Sequence, residues 1–330
     1  MTLLYHTGFE MGYNPVHESD MSDVARVLIR TDDVHTGTYA LRVASGTVDE
    51  WCRFAVDGTP ANVGVSVWIN PLDTFNEFNS LHVALRLVTG EFIDLQWNDD
   101  SHTFDLYVDD VLTALGTQAV PYIEYFHLSF HTLVSNAGSV DVLIDGVISI
   151  NYSGDTLPIA AVAQVDYVYF RQNSSNREYH IDDLAVSANE VMPDIRVDAL
   201  LPSADDTAQW TPFGGGVNYD EVNSVPPNDA TYVETDLNNQ RDLYELDDWD
   251  DTDKSPVGVQ GWWRVYKTVA NTDAIEPVLE SGATVDVGAV IPLATTLAYY
   301  YKEYDVDPNT LAEWTDAAID AMKLGMDSVV

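Results

Sequence analysis

The chain is poor in cysteine and in positive charge. Cys52 is its only cysteine, which excludes an intramolecular disulfide and any cysteine-built zinc site. Four lysines and ten arginines face 54 acidic residues, giving a formal net charge of −40. A surface of that sign repels phosphate, so nucleic acid is not an expected partner, and an anionic membrane leaflet is repelled equally. No apolar run approaches the roughly 18 residues of a membrane-spanning helix, so no membrane insertion is expected. The opening Met1-Thr2-Leu3-Leu4-Tyr5-His6 lacks the basic region and apolar stretch of a secretory signal, and the expectation is synthesis in a cytoplasm. Also missing are a Gly-x-Ser-x-Gly elbow, a phosphate-binding glycine loop, a His-Glu-x-x-His helix and an EF-hand loop. No enzymatic activity is expected on these grounds. His127 and His131 share one strand face, but two histidines without a third ligand read as ordinary strand residues.

What is present is enough apolar material for two cores: 330 residues, 46% hydrophobic and 11% aromatic. The charge is evenly spread. Residues 1–191 carry 27 acidic and 7 basic residues, and residues 192–330 carry the same numbers, so each part stands at −20. Self-repulsion on that scale opposes compaction at low salt and fades when the Debye length falls to about 3 Å near 1 M. A lysine-poor, aspartate-rich surface of this kind suggests a saline, halophilic setting; the alternative is an acidic protein kept soluble by its charge.

Period-two alternation dominates the first part. It runs through Val63–Ile69, Leu81–Leu87, Phe104–Val108, Val165–Phe170 and Ile181–Val186, and Val140–Ile144 with Asp145-Gly146 and Val147–Ile150 reads as a hairpin with a primed turn. The fold class expected is all-β, an antiparallel β-sandwich followed by a second β-rich domain with a short C-terminal helix. We place the sandwich at 1–188, a linker at 189–194 and the second domain at 195–330. That domain opens on a strand-like Ile195–Leu201, continues through a polar stretch, and returns to strands at Val257–Val269, Ala283–Val290 and Leu297–Tyr304. Thr315 is placed to cap a helix over Asp316–Met326. Trp262-Trp263 puts one indole on each side of its strand, so either one faces away from the core, which makes both candidates for an oligomer or docking contact, or the sheet is covered on both faces.

Three short motifs in order, Gly8-Phe9-Glu10, His35-Thr36-Gly37-Thr38-Tyr39-Ala40-Leu41 and His180-Ile181-Asp182-Asp183-Leu184, resemble those of jelly-roll carbohydrate-binding modules and concanavalin A-like sandwiches. The resemblance implies a lectin-like sandwich over about residues 3–187. It also implies a structural calcium ion, for which Glu10, Asp182 and Asp183 are the candidate ligands, since calcium takes six to eight hard oxygens. A sugar site needs aromatic platforms beside polar groups; Trp51, Trp68, Trp97, Tyr107 and Tyr125 are candidates. Trp97 with Asn98 and Asp99, at a strand end beside a polar loop, is the preferred glycan site. Glycosidases on the concanavalin A-like fold use a Glu-x-Asp-x-x-Glu strand. Glu234-Thr235-Asp236 begins that pattern, but Asn239 breaks it.

From Trp210 onward the chain resembles a module recurring at the C-terminus of virion proteins of tailed viruses, from bacteriophages or haloarchaeal viruses. The matching residues include Trp210-Thr211-Pro212, Asp242-Leu243-Tyr244, Val257-Gly258-Val259-Gln260, Tyr299-Tyr300-Tyr301, Asp305-Val306-Asp307-Pro308-Asn309-Thr310 and Trp314-Thr315-Asp316-Ala317-Ala318. The resemblance implies a structural virion protein made in the host cytoplasm and displayed on the particle surface. It would serve as capsid decoration or tail adhesin, associate with other virion proteins and with its own copies, and meet host-surface glycans through the sandwich. The alternatives are a glycan-degrading enzyme with a carbohydrate-binding sandwich, and a ligand-free capsid cement.

Overall fold

A computed structural model of the chain describes residues 2–9, 27–44, 50–56, 58–71, 81–98, 100–121, 124–158, 161–172, 178–188, 191–249, 254–269 and 273–329. The chain divides into two compact units, Met1–Asp198 and Ala199–Val330.

In chain order the strands of the first unit are β1 (Thr2–Thr7), β2 (Val27–Arg30), β3 (Ala40–Ala44), β4 (Glu50–Ala55), β5 (Asn62–Pro71), β6 (Leu81–Leu87) and β7 (Phe92–Asn98). They continue with β8 (Thr103–Val108), β9 (Val111–Ala114), β10 (Phe126–Leu133), β11 (Gly138–Ile144), β12 (Val147–Gly154), β13 (Val165–Gln172) and β14 (Glu178–Ala188). One sheet runs β12-β11-β10-β5-β14-β3-β2, with β1 also paired to β14; the other runs β4-β13-β6-β7-β8-β9. All these pairs are antiparallel.

Alternation explains the two layers. Val63, Val65, Val67 and Ile69 of β5 and Leu81, Val83, Leu85 and Leu87 of β6 are fully buried. Phe104 of β8 meets Phe126 of β10 across the sheets, with ring centroids 6.2 Å apart. The Asp145-Gly146 turn has φ of 49° and 75°, the two positive values of a type I′ hairpin.

The segment expected to be a linker is instead part of the first unit. Ser129 Oγ donates to the carbonyl of Met192 at 2.8 Å and Ser66 Oγ to that of Pro193 at 3.0 Å. Met192 and Ile195 are buried. With its backbone groups engaged this way, 191–201 forms no strand, and the first strand of the second unit begins at Pro202.

The second unit adds β15 (Pro202–Ala208), β16 (Thr211–Pro212), β17 (Val233–Glu234), β18 (Arg241–Leu246), β19 (Val259–Val265), β20 (Ala274–Ser281), β21 (Thr284–Val287), β22 (Ile291–Pro292) and β23 (Ala298–Tyr304). A short helix, α1 (Asp316–Asp320), and β24 (Lys323–Val329) complete it. Its main sheet runs β15-β18-β24-β20-β21 with β22 on β20, while β16–β17 and β19–β23 are two-stranded ribbons. Thr315 caps α1 by accepting from the Ala318 N–H, but the helix stops at Asp320, short of the expected Met326. The rest becomes β24, paired on both sides, to β18 and β20. Gly325 is the local reason: it weakens a helix, and in β24 a Cβ there would lie 1.9 Å from the Asp242 carbonyl oxygen. Trp314, Ile319 and Met322 pack with Leu279 and Tyr304 in one core cluster. The chain is thus all-β, a β-sandwich followed by a β-rich unit with one short helix near its C-terminus.

Candidate functional site

Strand alternation gives the six-stranded sheet a second face, and polar and aromatic side chains gather there. On β6 the odd-numbered apolar residues enter the core, so His82, Ala84 and Arg86 stand on the other side; on β7 the same holds for Phe92, Asp94, Gln96 and Asn98. Register aligns this face into ranks. One runs Trp51, Arg171, His82, Gln96, Asp105 across β4, β13, β6, β7 and β8. The next runs Arg53, Tyr169, Ala84, Asp94, Tyr107. A third holds Ala55, Tyr167, Arg86 and Phe92. With strands about 4.8 Å apart, a rank crossing five of them is about 19 Å long, the span of a chain rather than of a single ring. Ala84, the smallest side chain of its rank, lies between Tyr169 and Asp94 and is nearly covered by its neighbours.

Hydrogen bonds fix this floor. Asp94 Oδ2 lies 2.7 Å from His82 Nδ1 and accepts from Gln96 Nε2 at 2.9 Å. The other oxygen of Asp94 is buried and accepts nothing among the described residues, an acceptor short of a donor. Asp105 accepts from Asn98 Nδ2 at 2.6 Å and from the Gly116 N–H at 3.1 Å. Across the face, Arg53 donates to the Tyr169 hydroxyl at 2.9 Å. Its guanidinium carbon is 4.1 Å from the centre of the Tyr167 ring and 5.5 Å from that of Trp51. Arg86 lies 5.5 Å from the same Tyr167 ring and 3.5 Å from Asp166, whose carboxyl is pushed above its ordinary range by burial. The face therefore has two halves: guanidinium and aromatic over β4, β13 and β6, carboxylate and amide over β7 and β8. Aromatic faces stack on the apolar side of a sugar ring, while amides and carboxylates take its hydroxyls.

The expected glycan trio is not brought together. Trp97 is 3% exposed and packs edge-on to Phe104 in the core, so its indole offers no platform. The same alternation that buries Trp97 turns its neighbours Gln96 and Asn98 outward. Asn98 lies at the margin of the polar face and Asp99 falls outside the described residues. Of the other candidate aromatics, Trp51 and Tyr107 belong to this face. Trp68 and Tyr125 lie at the opposite sheet, where His35 stacks on Trp68 at 3.7 Å and the Tyr125 hydroxyl donates to the Asp33 carbonyl at 2.7 Å. Arg53, His82, Asp94, Tyr169 and Arg171 were not anticipated. Their signal was present, as the polar positions interleaved with core residues along β4, β6, β7 and β13.

Asp182 and Asp183 are fully buried at an irregularity in the pairing of β14 with β5. Asp182 accepts the N–H groups of His35 at 2.9 Å, Thr36 at 3.3 Å and Asp183 at 2.9 Å. Asp183 accepts from the Thr36 hydroxyl at 2.9 Å and the Val197 N–H at 2.8 Å, and lies 2.9 Å from His35 Nδ1. Burial, with the charge of Asp183, pushes Asp182 up to about 8 against those N–H groups. Glu10 falls outside the described residues, and among the described residues no three His, Cys, Asp or Glu side chains gather as a metal site. Calcium needs six to eight oxygens free to face it, whereas N–H and O–H donors already converge on these. The pair as placed does not fit calcium. It is a clasp that ties the His35-Thr36 motif to the last strand of the sandwich.

In the second unit the two tryptophans do take opposite sides of β19. Trp263 is buried with Ile275 and Met326 and donates to the Gly325 carbonyl at 2.9 Å. Trp262 is half-buried on the other side, 5.1 Å from Tyr301 and 6.5 Å from Tyr299 between ring centroids, with Arg264 beside Tyr299.

No family model matches the chain, and no curated protein matches it either. Solved structures do. A cellulose-induced protein, Cip1, is 13% identical at a TM-score of 0.43, over 59% of this chain and 99% of that one. The alginate lyase Aly36B, in complex with an alginate trisaccharide, is 9% identical at a TM-score of 0.43, over 57% of this chain and 99% of that one. A protein of unknown function with a galectin-like fold from Bacillus subtilis is 15% identical at 0.39, over 57% of this chain and 96% of that one. Likeness at this level transfers no function.

Proposed function

We propose that the first unit binds a saccharide chain along the outward face of its six-stranded sheet, without chemical change. The observation that carries this is the set of cross-strand ranks, in which Trp51, Tyr169, Tyr167 and Tyr107 alternate with hydrogen-bonding side chains. In this proposal the second unit, by its resemblance to a virion module, anchors and oligomerises the protein on the surface of a tailed-virus particle. Weak sites repeated over symmetric copies then gain through linkage.

A glycan array probed with the intact protein and with Trp51→Ala and Tyr169→Ala tests the site. Binding by the parent and its loss in both variants, with unchanged far-ultraviolet circular dichroism, is the expected result; a parent that binds no saccharide overturns the reading. Detection of the chain in purified particles, in copy numbers matching a symmetry axis, tests its placement.

A second reading, a glycan-degrading enzyme, draws on His82. A carboxylate beside Nδ1, as Asp94 is here, is an arrangement that orients an imidazole as general base. Unchanged chain length after prolonged incubation with every saccharide that binds would dispose of it.

A further inference from the structure

We infer that the saccharide held on this face is an anionic one, its carboxylate or sulfate groups lying over β4, β13 and β6. This rests on the saccharide-binding reading and adds the ligand's charge to it. The first unit has no lysine and eight arginines, of which six lie among the described residues. Three of these pair with acids away from this sheet face, and Arg86 pairs with Asp166 at 3.5 Å upon it. Arg30 pairs with Asp32 at 2.8 Å, Arg196 with Asp198 at 2.8 Å, and Arg42 with Glu178. The other three, Arg53, Arg86 and Arg171, converge on one half of one face of one sheet.

The register makes the convergence tight. Arg53 stands opposite Tyr169, Arg171 opposite both Trp51 and His82, and Arg86 opposite Tyr167. Two guanidinium groups, of Arg53 and Arg86, share the Tyr167 ring. Gathering like charges costs energy, and in a chain at −40 there was no shortage of other places for them. An arginine held flat against aromatic rings presents a planar fork that matches a carboxylate or sulfate. The acids on the face are disposed to suit. Asp94 and Asp105 lie on the β7 and β8 side, where they take amide and imidazole groups, and Asp166 neighbours Arg86. An acidic sugar crossing the ranks would set its charge over the arginines and its hydroxyls over the Gln96 and Asn98 amides, which these buried carboxylates hold in place.

The net charge does not contradict this. It repels polyanions at long range, but that field is screened within about 3 Å at 1 M salt, while half-buried contacts are screened much less. The same global charge still disfavours nucleic acid, whose phosphates are too dense to meet only three cations.

The test is calorimetric titration of the full chain at about 1 M salt with oligomers of matched length: a polygalacturonate, a sulfated galactan and a neutral glucan. The expected result is that one or both acidic oligomers bind about tenfold or more tighter than the glucan. Arg171→Gln and Arg53→Gln should erase that preference while leaving thermal melting unchanged. The acidic oligomer that binds tells carboxylate from sulfate. Arg171→Lys, which keeps the charge and the fold but loses the fork, should retain only part of the preference. Equal binding of all three, or preference for the glucan, overturns the anionic assignment and leaves saccharide binding standing. No binding of any oligomer overturns both.

Discussion

Asp183 accepts the backbone N–H of Val197 on a side-chain oxygen 2.8 Å away, so the last strand of the sandwich holds the segment that leaves it. Asp183 is fully buried with φ at +47°, a left-handed conformation that few residues other than glycine, asparagine and aspartate adopt. Gly8 confirms how close the segment lies, since a Cβ there would be 2.8 Å from the Val197 carbonyl oxygen. Asp183→Ala removes an acceptor from Val197 and Thr36 at once. We expect a loss of roughly 1.5–3 kcal/mol, the range for bonds to a charged group, with faster amide exchange at Val197 and new proteolytic cleavage within 191–198. An unchanged melting temperature and a protected segment would show that the clasp is not needed.

Because the oxygens of Asp182 and Asp183 already receive N–H and O–H groups, calcium has little to gain there. Titrating a chelator at constant ionic strength should leave the melting temperature of the intact protein where it was. A clear drop, restored by calcium but not by magnesium, would mean that Glu10 completes a site with this pair.

Much of the architecture was legible because one period ran through the first unit. Val63–Ile69, Leu81–Leu87 and the Asp145-Gly146 hairpin are strands where alternation put them, since burying one face of a sheet demands that period. The same rule carried through Phe92–Asn98 assigns Trp97 to the core. Choosing it for its polar neighbours weighed local composition above strand phase. The arginine and tyrosine ranks were not legible, because they form only when β4, β13 and β6 come together from distant parts of the chain. In the second unit the expected helix beyond Asp320 failed for a related reason. Residues 323–329 gain two neighbouring strands in the sheet, and tertiary pairing overrides a local helical pattern.

The two tryptophans of β19 separate packing from docking. Trp263 is buried and its indole N–H donates to Gly325 in the middle of the sheet, so Trp263→Ala should cost about 3–5 kcal/mol, the usual range for removing a buried aromatic. Trp262 lies on the opposite side among Tyr299, Tyr301 and Arg264. Trp262→Ala should leave melting nearly unchanged and shift sedimentation toward lower mass, as expected if copies associate through that ribbon. Equal destabilisation by both variants would show a core on both sides of the ribbon and remove the docking role.

Ala84 offers a test of the saccharide face that changes no charge. It is nearly buried at the centre of the middle rank, opposite Tyr169 on one side and Asp94 on the other. Its Cβ lies on the outer side of the strand but is only 4% exposed, so Ala84→Leu must push aside the side chains around it, at an overpacking cost of about 1–3 kcal/mol. The added side chain and the neighbours it displaces would disturb the middle rank that a saccharide chain must cross. We expect saccharide affinity to fall about tenfold or more, equivalent to at least about 1.4 kcal/mol, in a variant that still folds cooperatively but melts lower. Ala84→Ser, which adds only a hydroxyl, should bind nearly as well as the parent. If the leucine variant folds and binds as tightly as the parent, the ligand does not cross the centre of this sheet.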